Sequence, residues 1–212
     1  MTDDRTVAAI DCGTNSIRLL IASASPDGHL IEQTRDLELV RLGQGVDTTG
    51  AFHPDALERT FTACRAFARA ITEHHCDDIR FVATSAARDV SNRDEFFDGV
   101  REALGIDAEV IAGSEEAGLS FAGAMSGIEV SEEPVLVIDC GGGSTELVLG
   151  HGTKIDSQVS LNIGSVRLRE RFLHDDPPTA EQIDEARTYV REMLTECPVD
   201  MATAHTVVGV AG

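Results

Sequence analysis

The segment Ile10-Asp-Cys-Gly-Thr-Asn-Ser-Ile-Arg-Leu-Leu-Ile21 returns 128 residues later as Ile138-Asp-Cys-Gly-Gly-Gly-Ser-Thr-Glu-Leu-Val-Leu149. Both copies begin with Ile-Asp-Cys-Gly and place a short polar turn between two apolar runs. Two apolar runs joined by a turn of Asp, Gly and hydroxyl residues predict a β-hairpin. Because the copies are separated by a long stretch with its own helices and strands, the repeat indicates two similar domains.

The apolar pattern outside the hairpins predicts alternating strands and helices, which is typical of an α/β protein. After the first hairpin we predict strands over residues 30–41, 79–83 and 108–111, and helices over 54–75, 92–104 and 113–125. After the second hairpin we predict a strand over 154–161, a helix that ends near 196 and a strand over 205–210. Thr179 and Gln182 have the spacing of a capping box at the start of that last helix.

A polar, glycine-containing stretch at residues 126–133 predicts the domain boundary. The predicted domains are therefore residues 1–125 and 126–212, each with one copy of the repeat. The last predicted strand is followed by two residues, Ala211 and Gly212, and has nothing after it to pack against. We therefore expect the second domain to be incomplete and the chain to be a fragment.

Composition excludes several classes of function. The chain of 212 residues has a formal net charge of −20, and Lys154 is the one lysine among its 17 basic residues. A nucleic-acid partner is not expected, because binding a phosphate backbone requires a basic surface. No apolar run approaches the length of a membrane span, and the N-terminus lacks the pattern of a signal peptide. Five scattered cysteines do not suggest disulfides, so we expect a cytoplasmic protein with no membrane contact.

The two turns have the composition of an anion site. Glycines allow backbone N–H groups to converge on one point, and the hydroxyls of Ser and Thr add further donors. The aspartate that opens each turn would repel a bare phosphate, but it can hold a divalent cation that bridges to phosphate oxygens. Two ordinary hairpin turns would also use Asp and Gly. The repetition of acid, glycine and hydroxyl in the same order favours the phosphate-and-metal interpretation.

Several short motifs carry a resemblance to a known family. The paired turns resemble the two phosphate loops of the superfamily of sugar kinases, actin and heat-shock ATPases. Five motifs in order resemble the exopolyphosphatase and guanosine pentaphosphate phosphatase family. These are Ile10-Asp-Cys-Gly-Thr-Asn-Ser16, Ala83-Thr-Ser-Ala-Ala-Arg88, Gly113-Ser-Glu-Glu-Ala117, Asp139-Cys-Gly-Gly-Gly-Ser-Thr-Glu146 and Asn162-Ile-Gly-Ser-Val-Arg-Leu168.

The resemblance implies a fold of two ribonuclease-H-like, or actin-like ATPase, domains with mixed sheets flanked by helices. It also selects the catalytic residues. The helix dipole explains Glu115 and Glu116 equally well, but the second glutamate of this motif matches the family's catalytic base, so we expect Glu116 to activate the attacking water. Arg88 is expected to clamp phosphate. Gly118 departs from the family, in which a longer polar or charged residue is often found.

The remaining candidate residues bind metal or phosphate. Asp139 and Glu146 flank the glycine-rich turn and can face the same side of the hairpin, which suits Mg²⁺ or Mn²⁺, and Asp11 is a candidate water-mediated ligand. The predicted phosphate contacts are Gly13, Thr14, Asn15, Ser16, Gly141, Gly142, Gly143, Ser144 and Thr145. Cys12 and Cys140 are interpreted as small packing residues, because a neighbouring acid raises a thiol pKa.

The resemblance predicts a metal-dependent hydrolase that releases terminal orthophosphate from inorganic polyphosphate. Hydrolysis of guanosine pentaphosphate by the same residues is the alternative enzyme activity. A kinase is less favoured because no adenosine loop or sugar site is visible in the sequence. A non-catalytic module that binds polyphosphate or alarmone is the alternative outside the enzymes. For either function, the expected partners include a second copy of the chain in a homodimer.

Overall fold

The computed structural model describes residues 5–25, 30–88 and 90–212. The chain divides into two compact units, Met1–Ile111 and Ala112–Gly212. Each unit has one mixed sheet flanked by helices. The predicted fold class, α/β with two mixed sheets flanked by helices, is thereby confirmed.

The first unit contains one sheet with the order β3-β2-β1-β4-β5 among the described residues. Its strands are β1 (Thr6–Cys12), β2 (Ile17–Ala24), β3 (Leu30–Glu38), β4 (Asp78–Ala83) and β5 (Glu109–Val110). The first three strands are antiparallel neighbours, whereas β4 pairs parallel with β1 and β5 parallel with β4. Strands β1 and β2 form the hairpin predicted from the first copy of the repeat.

The helices of the first unit are α1 (Val46–Thr49), α2 (Pro54–Glu73), α3 (Ser85–Arg88) and α4 (Arg93–Leu104). Helix α2 begins with Pro54. Proline is favoured at the first position of a helix, because a backbone N–H there would have no intrahelical acceptor. Its buried face contributes to a core that also includes Phe81 and Phe96. Asn92, the first residue of the predicted helix 92–104, precedes α4 and makes no side-chain cap. Its amide instead bonds both backbone polar groups of Phe52.

The second unit contains a sheet with the order β8-β7-β6-β9 within the described chain. Its strands are β6 (Val135–Cys140), β7 (Thr145–His151), β8 (Lys154–Leu161) and β9 (Thr206–Ala211), and its helices are α5 (Gly113–Ser126), α6 (Ser165–Arg171) and α7 (Ala180–Thr195), with a short 3-10 helix at Met201–Thr203. Strands β6, β7 and β8 are antiparallel neighbours, and β9 pairs parallel with β6. This connectivity repeats that of β1 to β4.

The division between the units lies before α5, and not after it as predicted from the sequence. Ala117 and Phe121 of α5 are fully buried against Val135, Val137 and Val148 of the second sheet. The apolar stripe of this helix therefore belongs to the second core, and the predicted boundary at residues 125 and 126 is corrected to Ile111 and Ala112. The polar stretch 126–133 begins at the last residue of α5 and leads to β6.

The other face of the second sheet is covered by α7. Leu136, Leu147 and Leu161 form a core cluster against which Tyr189 and Met193 of this helix pack. The predicted capping box is present, since the Thr179 side chain accepts from the backbone N–H of Gln182 and the Gln182 side chain bonds back to the backbone of Thr179. Among the described residues no helix is long and apolar enough to cross a membrane.

Candidate functional site

The two hairpins have the same local geometry. In the first, the N–H of Gly13 donates to the carbonyl of Ser16 at 2.9 Å, and in the second the N–H of Gly141 donates to the carbonyl of Ser144 at 3.0 Å. The register is also shared, because Cys12 pairs with Ile17 as Cys140 pairs with Thr145. The duplication predicted from the sequence is therefore a duplication of backbone structure.

The glycine-rich turn of the second hairpin, residues 141–144, is oriented by α6. The carbonyl of Gly141 accepts from the N–H of Ser165 at 3.0 Å, and the carbonyl of Gly142 accepts from the N–H of Val166 at 2.9 Å. The Gly143 carbonyl accepts from Nε of Arg167 at 2.9 Å. In a trans peptide the N–H points opposite to the preceding C=O. The N–H groups of residues 142, 143 and 144 therefore point away from α6, side by side.

Gly164, at the start of α6, allows this close approach. A Cβ atom at this position would overlap the backbone of Gly142. Any larger residue would push α6 off the turn and break the bonds that orient its carbonyls. The motif at residues 162–168 includes this glycine, whose role is visible only in the folded protein.

The turn of the first hairpin, residues 13–16, is held in a related way. The carbonyl of Thr14 accepts from the N–H of Gly43 at 2.8 Å, and the carbonyl of Asn15 accepts from the N–H of Arg41 at 2.9 Å. A Cβ at Gly43 would overlap the Thr14 side chain. Gly43 and Gly164 both follow the third antiparallel strand of their unit and an aliphatic residue, Leu42 or Ile163. These two glycines are a second element of the repeat, outside the two hairpin segments recognised from the sequence.

The residue opposite each aspartate distinguishes the two hairpins. Asp11 pairs with Arg18, and their side chains form an ion pair at 3.7 Å in which both are about half exposed. At the equivalent positions of the second hairpin, Asp139 pairs with Glu146, whose residue is only 1% exposed. Directly opposed residues of an antiparallel pair project from the same face. The first hairpin thus carries a compensated pair of charges and the second carries two carboxylates.

The two carboxylates lie on the face of the sheet that α5 covers, together with two serines. The Ser120 hydroxyl of α5 donates to Oδ2 of Asp139 at 2.6 Å. The Ser160 hydroxyl of β8 donates to Oε1 of Glu146 at 2.7 Å, and Ser160 is the cross-strand partner of Glu146. Ser160, Glu146 and Asp139 therefore form a row across three strands. Neither serine was singled out from the sequence, because both contacts are made only in the folded sheet.

Glu116 lies in the first turn of α5, one helical turn before Ser120. It is half-buried, whereas Glu115 is exposed. Residues four apart on a helix share a face, so Glu116 and Ser120 project from the same side of α5. Within the second unit, the predicted base and the serine that contacts Asp139 therefore lie on the same side of one helix.

Arg88 and Asp11 belong to the first unit. Arg88 ends α3 and is half-buried, and its Nε donates to the carbonyl of Ile111 at 3.1 Å. This bond fixes the plane of the guanidinium near the end of β4. Across the described ranges, no three His, Cys, Asp or Glu side chains form a cluster suited to a metal ion. Asp139 and Glu146 form the opposed pair, while Asp11 makes its ion pair with Arg18.

Two hydroxyls of the second turn are buried. Ser144 is 3% exposed. The Thr145 hydroxyl donates to the carbonyl of Ile163 and also lies 3.8 Å from the sulfur of Cys140. The hydrogen of this hydroxyl is therefore used inside the fold, and the phosphate contact proposed for Thr145 stays a prediction from the sequence. The side chain fixes the segment that leads to Gly164.

The two turn cysteines differ in exposure. Cys12 is fully buried, and burial, with smaller effects of Cys64 and Asp11, raises its pKa well above the ordinary value. This agrees with its interpretation as a packing residue. Cys140 is exposed, so the same interpretation is wrong for it. It is the last residue of β6, next to the turn.

The two units have the same strand connectivity, and each has an Asp-x-Gly hairpin whose turn carbonyls accept hydrogen bonds from a following segment, so the chain is a duplicated α/β protein. The sequence matches the Ppx/GppA phosphatase family over residues 21–212. The chain belongs to the Ppx/GppA phosphatase family.

Individual relatives agree with this assignment. Exopolyphosphatase 2 of Mycobacterium tuberculosis is 51% identical over 97% of the chain and 67% of its own length. The crystal structure of an exopolyphosphatase-like protein covers 100% of the chain and 67% of its own, with 50% identity and a TM-score of 0.95. The structure of an exopolyphosphatase from Cytophaga hutchinsonii covers 98% of the chain and 67% of its own, with 30% identity and a TM-score of 0.91. The chain thus spans about two thirds of these relatives.

Proposed function

We propose that this protein is an exopolyphosphatase, a hydrolase that removes terminal orthophosphate from inorganic polyphosphate. The observation that carries the proposal is the pair of opposed carboxylates, Asp139 and Glu146, next to a turn whose N–H groups point away from α6. The relationship to Exopolyphosphatase 2 of Mycobacterium tuberculosis supports the same activity.

The carboxylate pair fits a divalent cation. Like charges directly opposite each other destabilise a sheet, and Glu146 is almost fully buried. Carboxylate oxygens are the ligands that Mg²⁺ and Mn²⁺ prefer. Asp139 and Glu146 would hold the ion. When bound, it would neutralise phosphate charge and polarise the phosphorus–oxygen bond. Asp11 is less suited, because Arg18 already compensates its charge.

The turns would bind the phosphate chain. The N–H groups of residues 142–144 all point away from α6 and would donate to phosphate oxygens, as successive backbone N–H groups do in anion sites. In the first unit, the N–H groups of Asn15 and Ser16 point away from residues 41–43 for the same reason, and we propose them as phosphate donors of that unit. Arg88 would supply a charged donor to phosphate oxygens. The net charge of −20 makes such local donors and a cation necessary for a polyanionic substrate.

Glu116 would act as the general base. It would accept a proton from water as the water oxygen bonds to the terminal phosphorus, while the bond from that phosphorus to the bridging oxygen breaks. The products are orthophosphate and a chain one phosphate shorter, with the bridging oxygen retained by the chain. Cytoplasmic localisation stays a prediction from the sequence.

The test is orthophosphate release by the full-length protein with Mg²⁺ or Mn²⁺. Long-chain polyphosphate, short polyphosphate and guanosine pentaphosphate would be compared at equal concentrations of terminal phosphate. We expect release from polyphosphate that stops when EDTA is added. Preferential release from guanosine pentaphosphate would replace the proposed substrate, and binding of polyphosphate without any release would indicate a non-catalytic module.

A further inference from the structure

Each of the opposed carboxylates accepts a hydrogen bond from a serine outside the β6–β7 hairpin. The distances, 2.6 Å from Ser120 to Asp139 and 2.7 Å from Ser160 to Glu146, are those of hydroxyl groups that donate to charged oxygens. The two serines come from different elements, α5 and β8. Each carboxylate is therefore held at one of its oxygens by a donor with a fixed position.

These bonds restrict rotation of the carboxylates without using their full capacity. An ionised carboxylate has about four lone-pair sites on two oxygens, so it can accept a serine hydrogen bond and bind a cation together. Because Glu146 is buried, its orientation cannot be set by bulk water. The groups that hydrogen-bond to metal ligands orient them, and their removal typically weakens metal binding by about 10- to 100-fold.

We propose that Ser120 and Ser160 are positioning residues that orient Asp139 and Glu146 to bind a divalent cation, an inference that rests on the metal site of the proposed function. Ser120 has a second consequence. It lies four residues after Glu116 on α5, so its bond to Asp139 ties the helix that carries the proposed base to the strand that carries a proposed ligand. Ser160 has no such link to Glu116.

The two serines should therefore differ in a measurable way. Removal of either hydroxyl weakens metal binding, but only removal of the Ser120 hydroxyl also lowers kcat at saturating metal. If the serines had a purely structural role, removal of their hydroxyls would lower the stability of the protein and leave its metal affinity unchanged.

The experiment measures Mn²⁺ binding to the full-length protein without substrate, by the electron paramagnetic resonance signal of the free ion. We expect Ser120→Ala and Ser160→Ala to weaken Mn²⁺ binding by about 10- to 100-fold. Ser120→Thr and Ser160→Thr keep the hydroxyl and should recover most of the affinity. If an alanine variant does not fold, Ser→Cys at the same position keeps the volume, loses the strong donor and carries the same expectation.

Matched controls are available in the same elements. Ser157 lies on β8 but pairs with Leu149, whose side chain belongs to the cluster on the opposite face. Ser126 is the last residue of α5 and donates to the carbonyl of Gly123. Ser157→Ala and Ser126→Ala should bind Mn²⁺ as the unmodified protein does.

The outcomes separate this inference from the proposed function. If Glu146→Gln and Asp139→Asn leave Mn²⁺ binding unchanged, the metal site itself is wrong. If those variants lose Mn²⁺ while folded Ser120→Ala and Ser160→Ala, or their Ser→Cys counterparts, keep full affinity, the metal site stands and the positioning role is overturned.

Discussion

Asp139 stands directly opposite Glu146 in the ladder of β6 and β7, at the positions that Asp11 and Arg18 occupy in the ladder of β1 and β2. The backbone of the two hairpins is duplicated, but the charge of the opposed pair is not. One basic residue in the first copy corresponds to one acidic residue in the second. This difference gives the second hairpin two opposed carboxylates, which are the oxygen donors of the proposed cation site.

The opposed carboxylates should lower the stability of the protein when no metal is bound. Glu146→Gln removes the repulsion and leaves an amide oxygen that still accepts from Ser160. We expect the metal-free variant to gain on the order of 1 kcal/mol of unfolding free energy, or a rise in Tm of about 2–4 °C. The measurement is a thermal melt in EDTA and again in excess Mg²⁺. The unmodified protein should be stabilised by Mg²⁺ and the variant should not.

Asp11→Asn is the matched control for this melt. It removes one member of an exposed ion pair, and such pairs contribute about 0–1 kcal/mol. Its Tm in EDTA should stay the same or fall slightly, and its response to Mg²⁺ should persist. A fall in Tm for metal-free Glu146→Gln would contradict the repulsion between Glu146 and Asp139.

Gly164 should be essential for the second turn. Gly164→Ala places a Cβ where the backbone of Gly142 lies, so α6 can no longer hold the carbonyls of residues 141 and 142. We expect weaker binding of orthophosphate or polyphosphate and a loss of about 1–3 kcal/mol of stability. Calorimetric titration with polyphosphate and a thermal melt check both effects.

Gly123→Ala is the comparison substitution for Gly164→Ala. Gly123 lies inside α5 with nothing near the position of its Cβ. Alanine is favoured over glycine in a helix by about 1 kcal/mol, so this variant should be more stable and bind polyphosphate normally. Equal behaviour of the two variants would show that steric contact with the turn is unimportant.

The cysteines should differ sharply in reactivity. Burial raises the pKa of the Cys64 thiol to about 12 and that of Cys12 well above its usual range. Since the thiolate is the reactive form, both should resist iodoacetamide at pH 8 in the folded protein. Cys140 is exposed and should be labelled first. Mass spectrometry of the labelled peptides checks the order. Early labelling of Cys12 would mean that the first turn opens in solution.

The local elements of the fold were predictable from the sequence, because strand alternation, helix periodicity and caps are short-range signals. The hairpins, the helix after Pro54 and the capping box at Thr179 were predicted on those grounds and are present. The boundary between the units was not predictable, because the sequence of α5 shows an apolar stripe but does not show which sheet the stripe packs against. Helix α6 was missed as well, since its seven residues include no buried side chain.

The candidate site was likewise predictable only where its residues are close together in sequence. The acid–glycine–hydroxyl order of each turn was readable because its members are adjacent in sequence. The partners of that site come from distant segments. Ser120 reaches Asp139 across 19 positions, and Ser160 reaches Glu146 across 14. The glycines behind the turns act through close packing, which leaves no mark in composition. Comparison of the two copies beyond the hairpins would have found Gly43 and Gly164.

The assignment of Glu116 as the general base can be tested against its neighbour. Glu116 is half-buried on the same side of α5 as Ser120, whereas Glu115 is exposed, and both are in the first turn of the helix. Glu116→Gln keeps the size of the side chain but cannot accept the proton. We expect kcat for polyphosphate hydrolysis to fall by about 10² or more with a nearly unchanged KM. Steady-state release of orthophosphate in Mg²⁺ gives both constants. Glu115→Gln makes the same change of charge at the helix N-terminus. It should reduce kcat by no more than about threefold, which is roughly the effect of a helix-dipole interaction. Equal losses in the two variants would assign both glutamates to the helix dipole and leave the reaction without its proposed base.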